Sequence, residues 1–121
     1  MPKRILVADD EAPIANVVAM KLRGAGLEVV VARDGQEAYE QAMAVRPDFM
    51  ITDLQMPGMT GLELCARLTR ELDKAIPTIL LTAKGFELGD TALEGLPIQR
   101  VMTKPFSPRE LLAAVQAALG N

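Results

Sequence analysis

The chain contains no histidine. That removes the commonest general base, the usual zinc ligand and any histidine-based phosphate carrier from its own repertoire. Cysteine is nearly absent too: Cys65 stands alone, so no internal disulfide can form. No charged start followed by an apolar stretch resembles a signal peptide, and a reducing cytoplasm is the expected compartment. The longest apolar runs, such as Ile79 to Leu81, fall far short of the ~20 residues of a membrane helix. An excess of basic charge is missing as well. Thirteen Lys and Arg against sixteen Asp and Glu give a net charge of -3, which draws the chain neither to nucleic acid nor to anionic lipid. Low-complexity tracts, linkers and internal repeats are also lacking, and the 121 residues are expected to form a single domain over 1–121. With 50% apolar and 24% charged residues the composition is globular, which excludes disorder and collagen-like structure. Any chemistry must use carboxylates, hydroxyls and lysine, or belong to a partner.

Five short apolar runs recur: Ile5 to Ala8, Val29 to Ala32, Phe49 to Thr52, Thr78 to Thr82 and Ile98 to Met102. Their unbroken apolar character suits strands covered on both faces, as in a parallel sheet. Stretches with helical spacing lie between them. One stripe holds Ile14, Val17, Val18 and Leu22, a second Ala38, Ala42 and Met43, a third Leu64, Cys65, Leu68 and Leu72, and a last one Leu111, Leu112, Val115 and Leu119. The punctuation agrees. Gly24 and Gly26 close the first helix, Pro47 follows the second and Pro77 precedes the fourth strand. Ser107, Pro108 and Glu110 read as a capping box with proline at the first helical position, and Asp34 with Glu37 reads similarly. Lys84 to Pro97, with three glycines and weak periodicity, predicts only a short or irregular fourth helix. The whole is β-α repeated five times, an α/β chain with a doubly wound parallel sheet.

In such sheets ligands bind outside the carboxyl ends of the strands. Asp9 and Asp10 follow the first run, Asp53 the third, Thr82 ends the fourth, and Lys104 with Pro105 follows the fifth. Three carboxylates brought within a few ångströms repel one another by roughly 4 kcal/mol per pair at an effective dielectric of 20, unless a cation or proton intervenes. Oxygen-only ligands favour magnesium, which keeps several waters and takes one or two carboxylates plus phosphate oxygens. Lys104 can neutralise another phosphate oxygen and Thr82 can donate a hydrogen bond to a third. Asp53 is placed to be the carboxylate nucleophile. Met56 and Met59 read as gap-filling packing, and Cys65 as a small buried hydrophobe.

These residues carry a resemblance. ILVADDE, MITDLQMPGMTG, ILLTA and VMTKPF, in that order, resemble the four blocks of response-regulator receiver domains in two-component signalling, and the likeness spans the chain. The resemblance implies a flavodoxin-like (βα)5 fold with strand order 2-1-3-4-5 and one receiver domain over 1–121. It implies Asp53 as the phosphoacceptor, Asp10 as a direct magnesium ligand, Asp9 as a ligand through water, and the backbone carbonyl of Gln55 on the metal. Manganese could replace magnesium. Thr82 and Lys104 take the family's hydroxyl and lysine roles, and the Lys104–Pro105 peptide is expected to be cis. A histidine kinase or histidine phosphotransfer protein would donate the phosphate, and an unspecified output partner would read it. No enzyme activity is implied beyond self-phosphorylation from phosphodonors and slow self-dephosphorylation. No output domain is expected within these residues.

One position departs from the pattern. The family usually carries Tyr or Phe three residues before the lysine, and Val101 stands there, preceded by Arg100. Switching by an aromatic rotamer is therefore unavailable. Thr82, the loop from Lys84 to Gly89 with Phe86, or Arg100 must carry the signal instead. Two other functions use similar parts. A phosphatase of the haloacid dehalogenase type needs a second acid two residues after its nucleophile, where Gln55 stands. An FMN carrier of the flavodoxin kind needs a phosphate-cradling first loop, and ADDEAP is acidic.

Overall fold

In the computed structural model, which describes residues 2–83, 88–89 and 91–120, the five apolar runs are five parallel strands. They are β1 (Arg4–Ala8), β2 (Glu28–Ala32), β3 (Phe49–Asp53), β4 (Thr78–Thr82) and β5 (Ile98–Thr103), paired in the order β2-β1-β3-β4-β5. Each begins and ends within one residue of its apolar run. Four helices are described: α1 (Ala12–Gly24), α2 (Gly35–Val45), α3 (Gly61–Glu71) and α4 (Pro108–Leu119). None of them is long and apolar enough to cross a membrane.

Alternation along β1 and β3 explains why both read as continuous apolar runs. Ile5, Val7, Phe49 and Ile51 join a core with Val18 and Leu22 of α1 and Leu111 and Val115 of α4. Leu6, Ala8 and Met50 point the other way, into a second core with Ala38 and Ala42 of α2 and Leu64, Cys65 and Leu68 of α3. Burial on both faces leaves no place for a polar alternation. The α1 stripe is shifted from the expected one. Ala15, Val18, Ala19 and Leu22 are buried while Val17 is 49% exposed, because the two alanines let the helix lie close to the sheet on a face the larger side chains do not mark.

Three of the four described helices start at a side-chain cap. Asp34 accepts the Glu37 N–H at 2.7 Å and Ser107 accepts that of Glu110 at 3.4 Å, each supplying the forward half of the expected box. The reciprocal box occurs at α3, where Thr60 and Glu63 each accept the other's N–H at 3.1 Å. At α1 the N-cap residue is Glu11, whose side chain makes no cap bond.

Between β4 and β5, where a short or irregular fourth helix is expected, no helix occurs among the described residues. The described residues from 88 to 97 hold turns rather than a helix, with Ala92 N–H donating to the Gly89 carbonyl and Glu94 N–H to that of Thr91. Gly95 takes φ +75°, a value that favours glycine. Lys84, Gly85 and Phe86 lie outside the described residues. The β4–β5 ladder then slips: Thr78 pairs with Ile98 and Ile79 with Arg100, leaving Gln99 as a bulge. Gln99, Arg100 and Val101 are consequently exposed in succession.

Candidate functional site

The carboxyl ends of β1, β3, β4 and β5 converge on one rim. Asp9 follows β1 and is fully buried, and its Oδ1 accepts the Glu11 N–H at 2.9 Å. That bond, between an Asp and the N–H two residues on, bends the chain from strand into helix α1. Asp53 is the last residue of β3 and is 5% exposed. Its backbone is held closely. Leu54 N–H donates to the Leu81 carbonyl at 2.8 Å, Gly61 N–H donates to the Leu54 carbonyl at 2.8 Å, and the Gly61 Cα presses against the Asp53 carbonyl so tightly that a Cβ there would collide with it. Thr82 ends β4, buried, one residue beyond the partner of Asp53 in the β3–β4 register. Its carbonyl accepts the Lys104 N–H at 2.8 Å, which ties the end of β4 to the residue after β5. The Lys104–Pro105 peptide is cis.

Carboxylate oxygens of Asp9, Asp10, Glu11 and Asp53 lie within 4.8 Å of one another. Asp9 and Asp53 are buried, Asp10 and Glu11 exposed. Lys104 reaches into this group: its Nζ stands 3.0 Å from Glu11 Oε1, 3.2 Å from Asp9 Oδ2 and 3.4 Å from Asp53 Oδ2. Only the bond to Glu11 has hydrogen-bond geometry among these three, so the contacts to Asp9 and Asp53 are ionic. Gln55, two residues beyond Asp53, is exposed in the following loop. The rim thus unites Asp9, Asp10 and Asp53 with Lys104, and brings Thr82 and Gln55 to its border.

The electrostatics follow from burial. Loss of water pushes the Asp53 carboxyl up to about 6; the Asp9 charge pushes the same way, and Lys104 opposes both. Burial also raises Asp9, against the Glu11 N–H and the Lys104 charge. For Lys104 burial works downward, yet the Glu11 bond and the charges of Asp53 and Asp9 outweigh it and hold the ammonium above its usual range. Asp9 Oδ2 is buried without a hydrogen bond. A buried acceptor with no aligned hydrogen bond, met only by the ionic contact of Lys104 and set among three further carboxylates, suits a hard cation that takes oxygen ligands.

Glu11 has no place in the sequence reading of the site, although it supplies the aligned partner of Lys104. A signal for it exists. Glutamate is a poor N-cap, and this one occupies the N-cap of α1 without capping it.

A doubly wound parallel sheet with buried acids and a lysine at its carboxyl rim is an α/β domain whose ligand site lies where such sheets bind ligands, outside the carboxyl ends of the strands. The response regulator receiver domain matches residues 5–116, and the chain belongs to that family. It is 45% identical over 120 residues to the phosphate regulon transcriptional regulatory protein PhoB of Pseudomonas aeruginosa, covering 97% of this chain and 52% of that protein. It is 40% identical over 119 residues to the alkaline phosphatase synthesis transcriptional regulatory protein PhoP of Bacillus subtilis, covering 98% and 49%. The chain therefore spans about half the length of these curated relatives. Among solved structures, the chemotaxis response regulator CheY4 of Vibrio cholerae superposes with a TM-score of 0.85 at 32% identity, covering 97% of this chain and 98% of that one. Family membership decides against the phosphatase and FMN-carrier alternatives.

Proposed function

We propose that residues 1–121 act as one phosphoryl-accepting receiver unit, with Asp53 as the acceptor and a histidine kinase or histidine phosphotransfer protein as the donor. The observation that carries this reading is the pairing of a buried carboxylate, Asp53, with the Lys104 ammonium 3.4 Å away. A carboxyl that titrates at about 6 is largely ionised near neutrality and therefore nucleophilic. Its oxygen attacks phosphorus, the P–N bond of the donor breaks, and the electron pair returns to the donor's imidazole. Lys104 takes one phosphoryl oxygen as its partner and Thr82 donates its hydroxyl hydrogen to another, so charge on the transferring group is met by fixed donors. Asp9, Asp10 and Asp53, with the Gln55 carbonyl, would hold magnesium or manganese, which supplies positive charge to the acids and the phosphoryl oxygens. The absence of histidine fits a chain that receives phosphate from another protein. Interaction with an output protein or domain would follow from the charged, reordered rim.

The test is intact mass after incubation with acetyl phosphate and magnesium. The expected result is about one phosphoryl group per chain. Its loss in Asp53→Asn supports the assignment, and unchanged modification of that variant overturns it.

A further inference from the structure

We infer that Glu11 is a positioning residue that latches Lys104 in the unphosphorylated protein and competes with the incoming phosphoryl group for it. The inference rests on the reading of Lys104 as a phosphoryl partner. Three observations support it. The Glu11 carboxylate has no capping role, although its residue sits at the N-cap of α1. It reaches across the rim instead, to a lysine 93 residues away, and makes with it an aligned hydrogen bond at 3.0 Å. The Asp9 bond to the Glu11 N–H fixes the backbone in the bend from which that reach is possible.

The competition follows from the geometry. An ammonium has three N–H donors and no fixed plane, so its direction is set by whichever acceptors hold it. Here the acceptor on the outer side is Glu11, while Asp9 and Asp53 lie inward at 3.2 and 3.4 Å. To aim a second N–H at a phosphoryl oxygen on Asp53, the ammonium must turn inward from the direction in which the Glu11 bond holds it, so the two acceptors compete for its orientation. The Glu11 side chain is 57% exposed, so water can take over its acceptor once the lysine has left. The pair is therefore weak enough to open and oriented well enough to bias the closed state.

Shortening the side chain separates contact from charge. Glu11→Gln removes the charge, whereas Glu11→Asp keeps it but draws the carboxylate back toward the helix, where aspartate is a favoured N-cap. Two measurements apply. In metal-free protein, modification of Lys104 by an amine-reactive ester, followed by peptide mass spectrometry, reports how firmly the ammonium is held. In the presence of magnesium and acetyl phosphate, the rate of modification at Asp53 reports the competition. Both variants should raise both rates by about twofold to fivefold, the range expected of one partly exposed ion pair, and Glu11→Asp should also melt at a higher temperature.

Lysine reactivity equal to that of the parent in both variants overturns the latch. So does acceleration in Glu11→Gln with parental behaviour in Glu11→Asp, which would mean a charge effect without a held contact. Failure of the parent protein to take phosphate at all would instead overturn the receiver reading on which the competition stands, and the lysine measurement would still decide whether Glu11 holds the amine.

Discussion

The two halves of the sheet are built to different standards. Every residue of β3 and β4 is buried, as are Ile5 to Ala8 of β1, and helices α1 to α3 with α4 cover them. Beyond β4 the covering thins. The described residues from 88 to 97 turn without forming a helix, and β5 carries a bulge and three consecutive exposed residues. Asp9 and Asp53 grow from the covered half, Lys104 from the thinner one. The acids stand at the ends of strands that cannot shift without unpacking a core, while Lys104, their cationic partner, stands beyond the edge strand. Local opening costs least where apolar contacts are fewest, so a chemical event on the rigid side is most cheaply expressed on the other.

Substitutions in the two halves should separate this contrast, and the largest effect belongs to the covered strands. Ile51 is fully buried at the middle of β3. Ile51→Ala should cost about 2–5 kcal/mol in urea unfolding, with a proportionate fall in the midpoint and little change in slope. A loss below ~1 kcal/mol would mean that β3 is no better packed than β5.

Next in size is Gly61→Ala. The new methyl would press on the Asp53 carbonyl, which is backbone and cannot swing aside. The cost should be about 1–3 kcal/mol, accompanied by slower phosphate uptake at Asp53 because the strand end itself must move. Unchanged uptake with lowered stability would show that the collision is relieved on the α3 side.

Asp53→Asn should act in the opposite sense. Its carboxyl is raised from 3.8 to about 6, so the folded state binds this proton more tightly than the unfolded chain. The stability lost by ionising it develops as pH rises through that interval, is complete above about 6, and is absent below 3.8. With metal removed, Asp53→Asn should therefore be more stable than the parent by roughly 1–3 kcal/mol at pH 7, the Lys104 attraction being already contained in the shift. The gap should close near pH 4. A gap that widens toward acid would reverse the sign of the burial argument. Smallest of all is Val101→Ala, 37% exposed on β5, which should change stability by less than ~0.5–1 kcal/mol. A larger loss would place hidden packing on the thin side.

The same contrast governs how far the sequence could be read. Strands covered on both faces announce themselves as unbroken runs, and all five fell within a residue of their places. Asp9, Asp53, Thr82 and Lys104 were legible because each follows or ends such a run. At α1 the stripe read by side-chain size holds for Ile14, Val18 and Leu22 but not for Val17, and it misses Ala15 and Ala19, which face the sheet. Close helix–sheet packing selects small residues, which no hydrophobic stripe records. The stretch after β4 was legible only as irregular, since glycines mark where regular structure is weak without fixing what replaces it. Glu11 was hidden by its neighbours. Beside two aspartates it looks like one more acid of a first turn, and its partner stands 93 positions away.

The rim also accounts for the electrical character of the whole molecule. Asp9, Asp10, Glu11 and Asp53 set against Lys104 leave three negative charges, which equals the formal net charge of the chain, -3. The remaining twelve acids and twelve basic residues cancel. The surplus of the count therefore falls at one end of the parallel sheet, where it attracts a cation and repels an anion. Such a distribution turns an approaching charged molecule before it touches, over roughly a Debye length of 8–10 Å at physiological salt. A divalent cation at that end leaves one surplus charge of the three.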